Sequence, residues 1–206
     1  MNEFPLLVTD RLTLRQVQHA DAQGMLAVRG DVEVTRLMGR DPLENLEQSH
    51  QQIATYLAEG KALVPSFRWA LERTDDKTFL GTCGVFGWVK PWRKCSIGYE
   101  IGRFAWGQGY MQEAARAVLD WSFSNMALHR VDALIHPDNL ASLKLAYRLG
   151  FQVEGRLRET AFWNNRHHDM LQLGLLQPEW QLLWLGSLTQ NFADLTGYLL
   201  PRQIEC

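Results

Sequence analysis

The stretch from Ile97 to Ala114 constrains this chain more than any other. A strand ending at Ile101 runs into a loop that holds Gly107 and Gly109. That loop opens directly into a helix in which Met111, Ala114, Val118 and Trp121 recur at helical spacing. The next strand-like segment is Arg130 to His136, and this strand–helix–strand order argues a sheet with one parallel crossover region. At a strand–loop–helix junction the first helical N–H groups lack intrahelical partners and carry the positive end of the helix dipole. Glycine lets a phosphate approach such a backbone closely. The alternative is that the two glycines only make a turn. No Gly-Lys-Ser/Thr follows, so the loop is not a P-loop. No third glycine completes a dinucleotide fingerprint either.

The rest of the chain reads as a mixed order. Leu6 to Val17 alternates as one half-exposed strand, Asp21 caps a helical stretch to about Met38, and Asn45 caps a second helix ending near Gly60. Phe67 to Glu72 and Phe79 to Trp88 flank a Thr74-Asp75-Asp76-Lys77 turn as a hairpin, and Cys95 to Ile101 follows as a strand. Asn139 to Leu149 is a helix closed by Gly150, and two strands begin at Phe151 and His168. Strands first in hairpins and then alternating with helices imply an α/β (α+β) sheet. No repeat or linker divides the chain, so residues 1–180 are expected to be one domain. The apolar extension 181–206 then packs on that domain as a helix or forms a homodimer interface.

Charge narrows the function. Lys plus Arg is 21 against 23 for Asp plus Glu, a net charge of −2. No whole-molecule attraction to nucleic acid or to an anionic membrane follows from that balance. No apolar run approaches the roughly 20 residues of a membrane span. The cysteines, Cys83, Cys95 and Cys206, have no Cys-x-x-Cys spacing, and Met-Asn-Glu-Phe-Pro is unlike a signal peptide. The expectation is a cytoplasmic protein. His167 and His168 are adjacent in a strand and point to opposite faces, so no metal site is expected there.

Several motifs in order resemble the GNAT N-acetyltransferase superfamily, and within it the ribosomal-protein alanine and serine N-terminal acetyltransferase branch. They are Trp106-Gly107-Gln108-Gly109-Tyr110 with Glu113-Ala114, Asn139 with Ser142, and Leu149-Gly150-Phe151. Thr9-Asp10-Arg11-Leu12 with Leu14-Arg15, and Asp169 with Glu179-Trp180, match as well, so the likeness spans Leu6 to Trp180. The resemblance implies a GNAT-type mixed, mostly antiparallel twisted sheet with helices on both faces. It implies acetyl-CoA as cosubstrate, its pyrophosphate on the backbone amides of Gly107, Gln108, Gly109, Tyr110, Met111 and Gln112. It implies that the pantetheine arm lies along Tyr99, Glu100 and Ile101, with Asn139 and Ser142 touching the cofactor. Met111 departs from the family's small residue, and its bulk would crowd the phosphate loop. The family's usual tyrosine position is Ala146 here, beside Tyr147.

Acetyl transfer to an amine needs a neutral amine, a polarised thioester and a protonated leaving thiol. An α-amino group with pKa near 7.7–8.0 is roughly 10–15% neutral at pH 7, a lysine only about 0.04%. Glu100 is the candidate general base: it shares a strand face with Gly98 and Gly102, whose small size leaves room for cofactor and substrate beside its carboxylate. The alternative is a solvated or ion-paired strand glutamate. Glu113 is the second carboxylate, more simply a dipole complement. By resemblance Ser142 is the proton donor, with a backbone-bonded helix-start serine as the alternative. Trp163 is expected near the acceptor, and Trp69, Trp88 and Trp92 either there or in the core. The expected partner is a primary amine: a protein N-terminus, or else a small molecule. A non-catalytic acyl-CoA-binding module is the rival outside enzymes.

Overall fold

In the computed structural model, which describes residues 4–184, one eight-stranded sheet carries every strand. The strands are β1 (Leu7–Val8), β2 (Leu12–Gln16), β3 (Phe67–Arg73), β4 (Phe79–Val89), β5 (Lys94–Ile101), β6 (Arg130–Ile135), β7 (Gln152–Trp163) and β8 (Arg166–Leu176). Their order is β1-β2-β3-β4-β5-β6-β8-β7. Six of the seven pairings are antiparallel, and the exception is β5 with β6. The helices are α1 (Ala22–Arg29), the short α2 (Val32–Thr35), α3 (Leu46–Gly60), α4 (Tyr110–Asn125), α5 (Leu140–Arg148) and α6 (Gln177–Trp184). The mixed, mostly antiparallel α/β architecture expected from the motifs is therefore present.

Helices cover both faces. Ala114, Ala115, Val118 and Leu119 of α4 are fully buried against Leu12, Leu14, Trp69, Leu71, Cys83 and Val85. Trp69 meets Trp121 edge-on at 5.3 Å and donates its indole N–H to Pro5 C=O at 2.8 Å, so it belongs to the core. On the opposite face a smaller cluster joins Met25 of α1 to Ile53 and Tyr56 of α3 over Ala70. Cys83 and Cys95 are both buried, and burial pushes each thiol up to about 12, which makes them packing residues.

Two readings change. Leu6 to Val17 is a hairpin, not one strand: Leu7 pairs with Leu14 and Val8 with Thr13 around a Thr9-Asp10-Arg11 turn. The helical stretch from Asp21 stops at Arg29, because the chain folds tightly at Gly30. A β-carbon there would lie 2.7 Å from Leu26 O and 2.9 Å from Leu43 O. Asp31 then restarts α2 by accepting from the Glu33 N–H at 2.9 Å. The Asp21 carboxylate does not cap α1; it takes a two-pronged bond from Arg15 at 2.7 and 2.9 Å and the Gln18 N–H at 2.8 Å. Of the extension from 181 onward, α6 accounts for four residues, and Cys206 and the apolar run Leu195 to Leu200 lie outside the described residues. No helix among the described residues is long and apolar enough to cross a membrane.

What positions the site is a parting of strands. β5 and β6 pair only at Lys94–Arg130, Cys95–Val131 and Ser96–Asp132. Beyond Ser96, β5 stays with β4 as far as Ile101, while β6 stays with β8 as far as Ile135. Each strand follows its own antiparallel partner, and sheet twist carries the two halves apart.

Candidate active site

A cavity of about 290 Å³ opens at this parting. Gly98, Tyr99 and Glu100 line one wall, Leu134 and Ile135 the other, and Asn139 with Ser142 its end. Tyr99 and Glu100 are consecutive and face opposite sides of the sheet. Both reach the cavity, so it passes through the sheet at the splay.

The Glu100 side is built by cross-strand rows. Arg68 pairs with Gly84, and Gly84 with Gly98, so no side chain stands between β3 and β5 in that row. The Arg68 side chain lies across both glycines and donates to Gly98 C=O at 2.9 Å. Its Nη1 stands 3.7 Å from Glu100 Oε2, with both side chains nearly buried. The next row holds Thr82 opposite Glu100, and the Thr82 hydroxyl donates to the carboxylate. Burial opposes the Arg68 charge most strongly, but Glu100 together with Tyr56, Cys83 and Glu59 outweighs it and holds the guanidinium above its ordinary value. Tyr56 lies under Arg68 at 5.0 Å. Burial pushes its phenol up, Glu100 adds to this, and Arg68, Arg29 and Arg40 oppose it. Glu100 is thus a buried, ion-paired carboxylate that borders an open space. The space expected at the two flanking glycines is not available: the Phe104 ring fills it at Gly102, and the Phe86 ring and Arg68 guanidinium take it at Gly98.

The other side is set by α5. Asn139 caps this helix by accepting the Ser142 N–H at 3.1 Å, and its amide reaches Leu37 C=O at 3.5 Å. The Tyr99 hydroxyl spans the splay to Ser142 C=O at 3.5 Å, and burial pushes this phenol well up. Ala146 is buried in the core, so that position contributes nothing to the cavity.

Beyond Ile101 the chain makes a turn of 3-10 helix and then the glycine loop. Gly107 and Gly109 have φ of 73° and 80°, which side chains avoid, and Gly109 is the N-cap of α4. The first backbone bond into the helix runs from Glu113 N–H to Gly109 C=O, so the amides of Tyr110, Met111 and Gln112 precede the helical ladder. Nothing stands within 4 Å of where a Gly107 β-carbon would be. Met111 is 8% exposed and belongs to the core cluster; its bulk is taken up beneath the helix and does not crowd the loop. The Trp106 indole donates to Ile101 C=O at 2.9 Å.

Glu113 has a structural task. It accepts from the Thr9 hydroxyl at 2.6 Å, the Arg11 N–H at 2.9 Å and Arg11 Nε at 2.7 Å. Arg11 also donates to Gln108 C=O at 2.9 Å. Burial raises the Glu113 carboxyl, but these bonds outweigh it and hold it below the usual range. The β1–β2 turn is therefore clamped onto the glycine loop.

Trp163 is buried. It stacks on His168 at 3.4 Å and donates to Arg36 C=O at 3.2 Å, while Asn164 N–H reaches Asp41 at 2.8 Å. The β7–β8 turn thus holds the segment after α2 over the cavity. Trp88 packs against the core and Trp92 is exposed. His167 is exposed and His168 buried, as adjacent strand residues should be. Among the described residues no three His, Cys, Asp or Glu side chains converge. Sequence reasoning missed Arg68, Thr82 and Tyr56. The signal available was an arginine inside an apolar strand, with glycines at 84 and 98.

Comparison with known proteins agrees with this geometry. The family model for the acetyltransferase (GNAT) domain matches residues 11–152. YoaA of Bacillus subtilis (strain 168), an uncharacterized N-acetyltransferase, is 36% identical over 178 residues, covering 85% of this chain and 98% of its own length. The [ribosomal protein uS5]-alanine N-acetyltransferase of Escherichia coli (strain K12) is 28% identical, covering 84% of this chain and 92% of its own. Among solved structures, spermidine N-acetyltransferase from Vibrio cholerae, in complex with CoA and spermine, superposes with a TM-score of 0.73. It does so at 20% identity, over 84% of this chain and 99% of its own. A strand splay with a capped glycine loop, a matching family model and relatives of nearly full length converge on one assignment: this chain belongs to the GNAT family of N-acetyltransferases.

Proposed function

We propose that this enzyme moves the acetyl group of acetyl-CoA directly to a primary amine, and that the acceptor is a protein N-terminal α-amino group. The observation that carries the reading is Glu100: a buried carboxylate on the rim of a cavity that crosses the sheet. The loop fits the cofactor's pyrophosphate, since helix-start amides outside the helical ladder lie beside Gly107, whose missing β-carbon leaves open space, and Gly109, where only the Arg11 guanidinium comes within 4 Å. Gly107, Gln108, Gly109, Tyr110, Met111 and Gln112 would hold it. The edge of β5 at Tyr99, Glu100 and Ile101, which no longer pairs with β6, would take the pantetheine arm, ending at Asn139 and Ser142. Acetyl-CoA supplies the activated thioester. Glu100 accepts the proton of the incoming amine, directly or through one water. Ser142 gives a proton to the departing sulfur. An α-amino group suits one carboxylate base because a useful fraction of it is already neutral at pH 7.

Melting followed by tryptophan fluorescence tests the binding half. Acetyl-CoA at about 100 times its Kd adds about 2.7 kcal/mol, which for a chain of this size is a Tm rise of roughly 5–11 °C. No rise at millimolar acetyl-CoA would remove the phosphate-loop assignment. Thiol release with alanine- and serine-started peptides tests the transfer half, with spermidine as the small-amine comparison. Binding without release from any amine would leave a non-catalytic acyl-CoA module.

Gly109→Ala should be selective. The left-handed backbone at this position costs a side-chain residue about 1–3 kcal/mol, and the loop relieves that by moving its amides. Acetyl-CoA affinity should fall at least about tenfold by calorimetry, with the ligand-free Tm down by only a few degrees. Ser142→Ala should slow thiol release about 10²-fold without changing the Tm. Full activity would end the proton-donor role.

A further inference from the structure

Glu100, Arg68 and Ser142 leave two charged side chains of the same cavity unused, Arg29 and Arg40, and of these Arg29 is the buried one. Arg29 is the last residue of α1, only 2% exposed, and its Nε has no hydrogen-bond partner. Among the described residues it forms no ion pair. A guanidinium does not shed its proton, and a buried charge without a counter-charge is among the costliest features a fold can hold. Arg40, exposed on the segment after α2, and Arg68 line the cavity too. The single carboxylate that lines it is Glu100, which already faces Arg68. An acceptor that is only a cation would enter against an excess of positive charge. An acceptor that also carries an anion would bring the missing partner, and a carboxylate matches the planar fork of a guanidinium.

We propose that the acceptor is an amine bearing a carboxylate, with the amine at Glu100, the carboxylate on Arg29, and Arg40 at the mouth drawing the anion in. The proposal rests on the transferase reading above and names its substrate class. The carboxylate comes either from an amino acid itself or from an acidic side chain beside a peptide's N-terminal residue. A polyamine has neither.

The test compares acids with their neutral isosteres on the full chain saturated with CoA, where no transfer occurs. Three pairs are titrated by NMR: alanine against alaninamide, alanyl-aspartate against alanyl-asparagine, and alanyl-glutamate against alanyl-glutamine, the dipeptides as C-terminal amides. The expected result is that in at least one pair the acid binds about tenfold more tightly or better. In Arg29→Gln that preference collapses to within about twofold, while the CoA-induced Tm shift is kept. Arg29→Lys keeps part of the preference. Arg40→Gln, at an exposed position that does not challenge folding, weakens it less, and carries the test if Arg29→Gln does not fold. A preference in the alanine pair identifies an amino acid acceptor; one in the dipeptides identifies an acidic peptide N-terminus. Equal binding of acid and amide in all three pairs overturns the proposal, as does a preference that survives Arg29→Gln and Arg40→Gln. Failure of CoA to shift the Tm strikes the transferase reading instead. The same titrations on the ligand-free protein then still judge the arginine site.

Discussion

Glu100→Gln is expected to lower turnover by about 10²–10⁴-fold, with acetyl-CoA affinity held within about twofold. The amide keeps the shape of the side chain and can still accept from Thr82, so the wall of the cavity stays in place. What it loses is the ability to take a proton at the rim of the cavity. The pH profile separates this loss from a packing effect. Without the enzyme's base, kcat/KM should follow only the ionisation of the acceptor, rising about tenfold per pH unit up to the pKa of the amine, near 7.7–8.0 for an α-amino group. A variant within about twofold of wild type at every pH would falsify the base assignment. A variant that loses acetyl-CoA binding as well would show Glu100 to be structural.

Arg68→Met should be the most destabilising single change near the site. Methionine can occupy the space over Gly84 and Gly98 beside Tyr56 and Phe86, so the loss is mainly electrostatic. It strands Glu100, 7% exposed, with Thr82 as its remaining partner. Breaking one side of a buried ion pair costs about 3–5 kcal/mol, or roughly 6–20 °C of Tm in a chain of this size. Chemical denaturation at pH 8 measures the deficit against wild type. A deficit below about 1 kcal/mol at pH 8 would mean that the 3.7 Å pair contributes little and that the Gly98 carbonyl bond alone holds Arg68.

The local elements were legible because short-range physics writes them. Asn139 and Asn45 cap α5 and α3 as their side chains predict. The hairpin around Thr74 to Lys77, the turn at Asn164–Asn165 and the β5–α4–β6 crossover likewise follow from turn chemistry and periodicity. The glycine loop was legible for the same reason, since positive φ at 107 and 109 is a local demand. The misreadings have a common cause. Leu6 to Val17 alternates well enough for one strand, and only the distant Glu113, holding Thr9 and Arg11, settles that it turns. Asp21 is a good local cap, but Arg15, Gln18 and the close approach of Leu43 to Gly30 decide what α1 does.

By itself, then, the sequence determined most of the local elements, the anion-ready helix start and the cap of α5, because each depends on residues a few positions apart. Only the tertiary structure decided what surrounds Glu100. Arg68, Thr82 and Tyr56 come from three other segments, and Arg29 from a fourth. They meet because strand pairing sets Arg68, Gly84 and Gly98 in one row and because β5 and β6 follow different partners past Ser96. Register and splay are properties of the whole sheet, and no single segment encodes them.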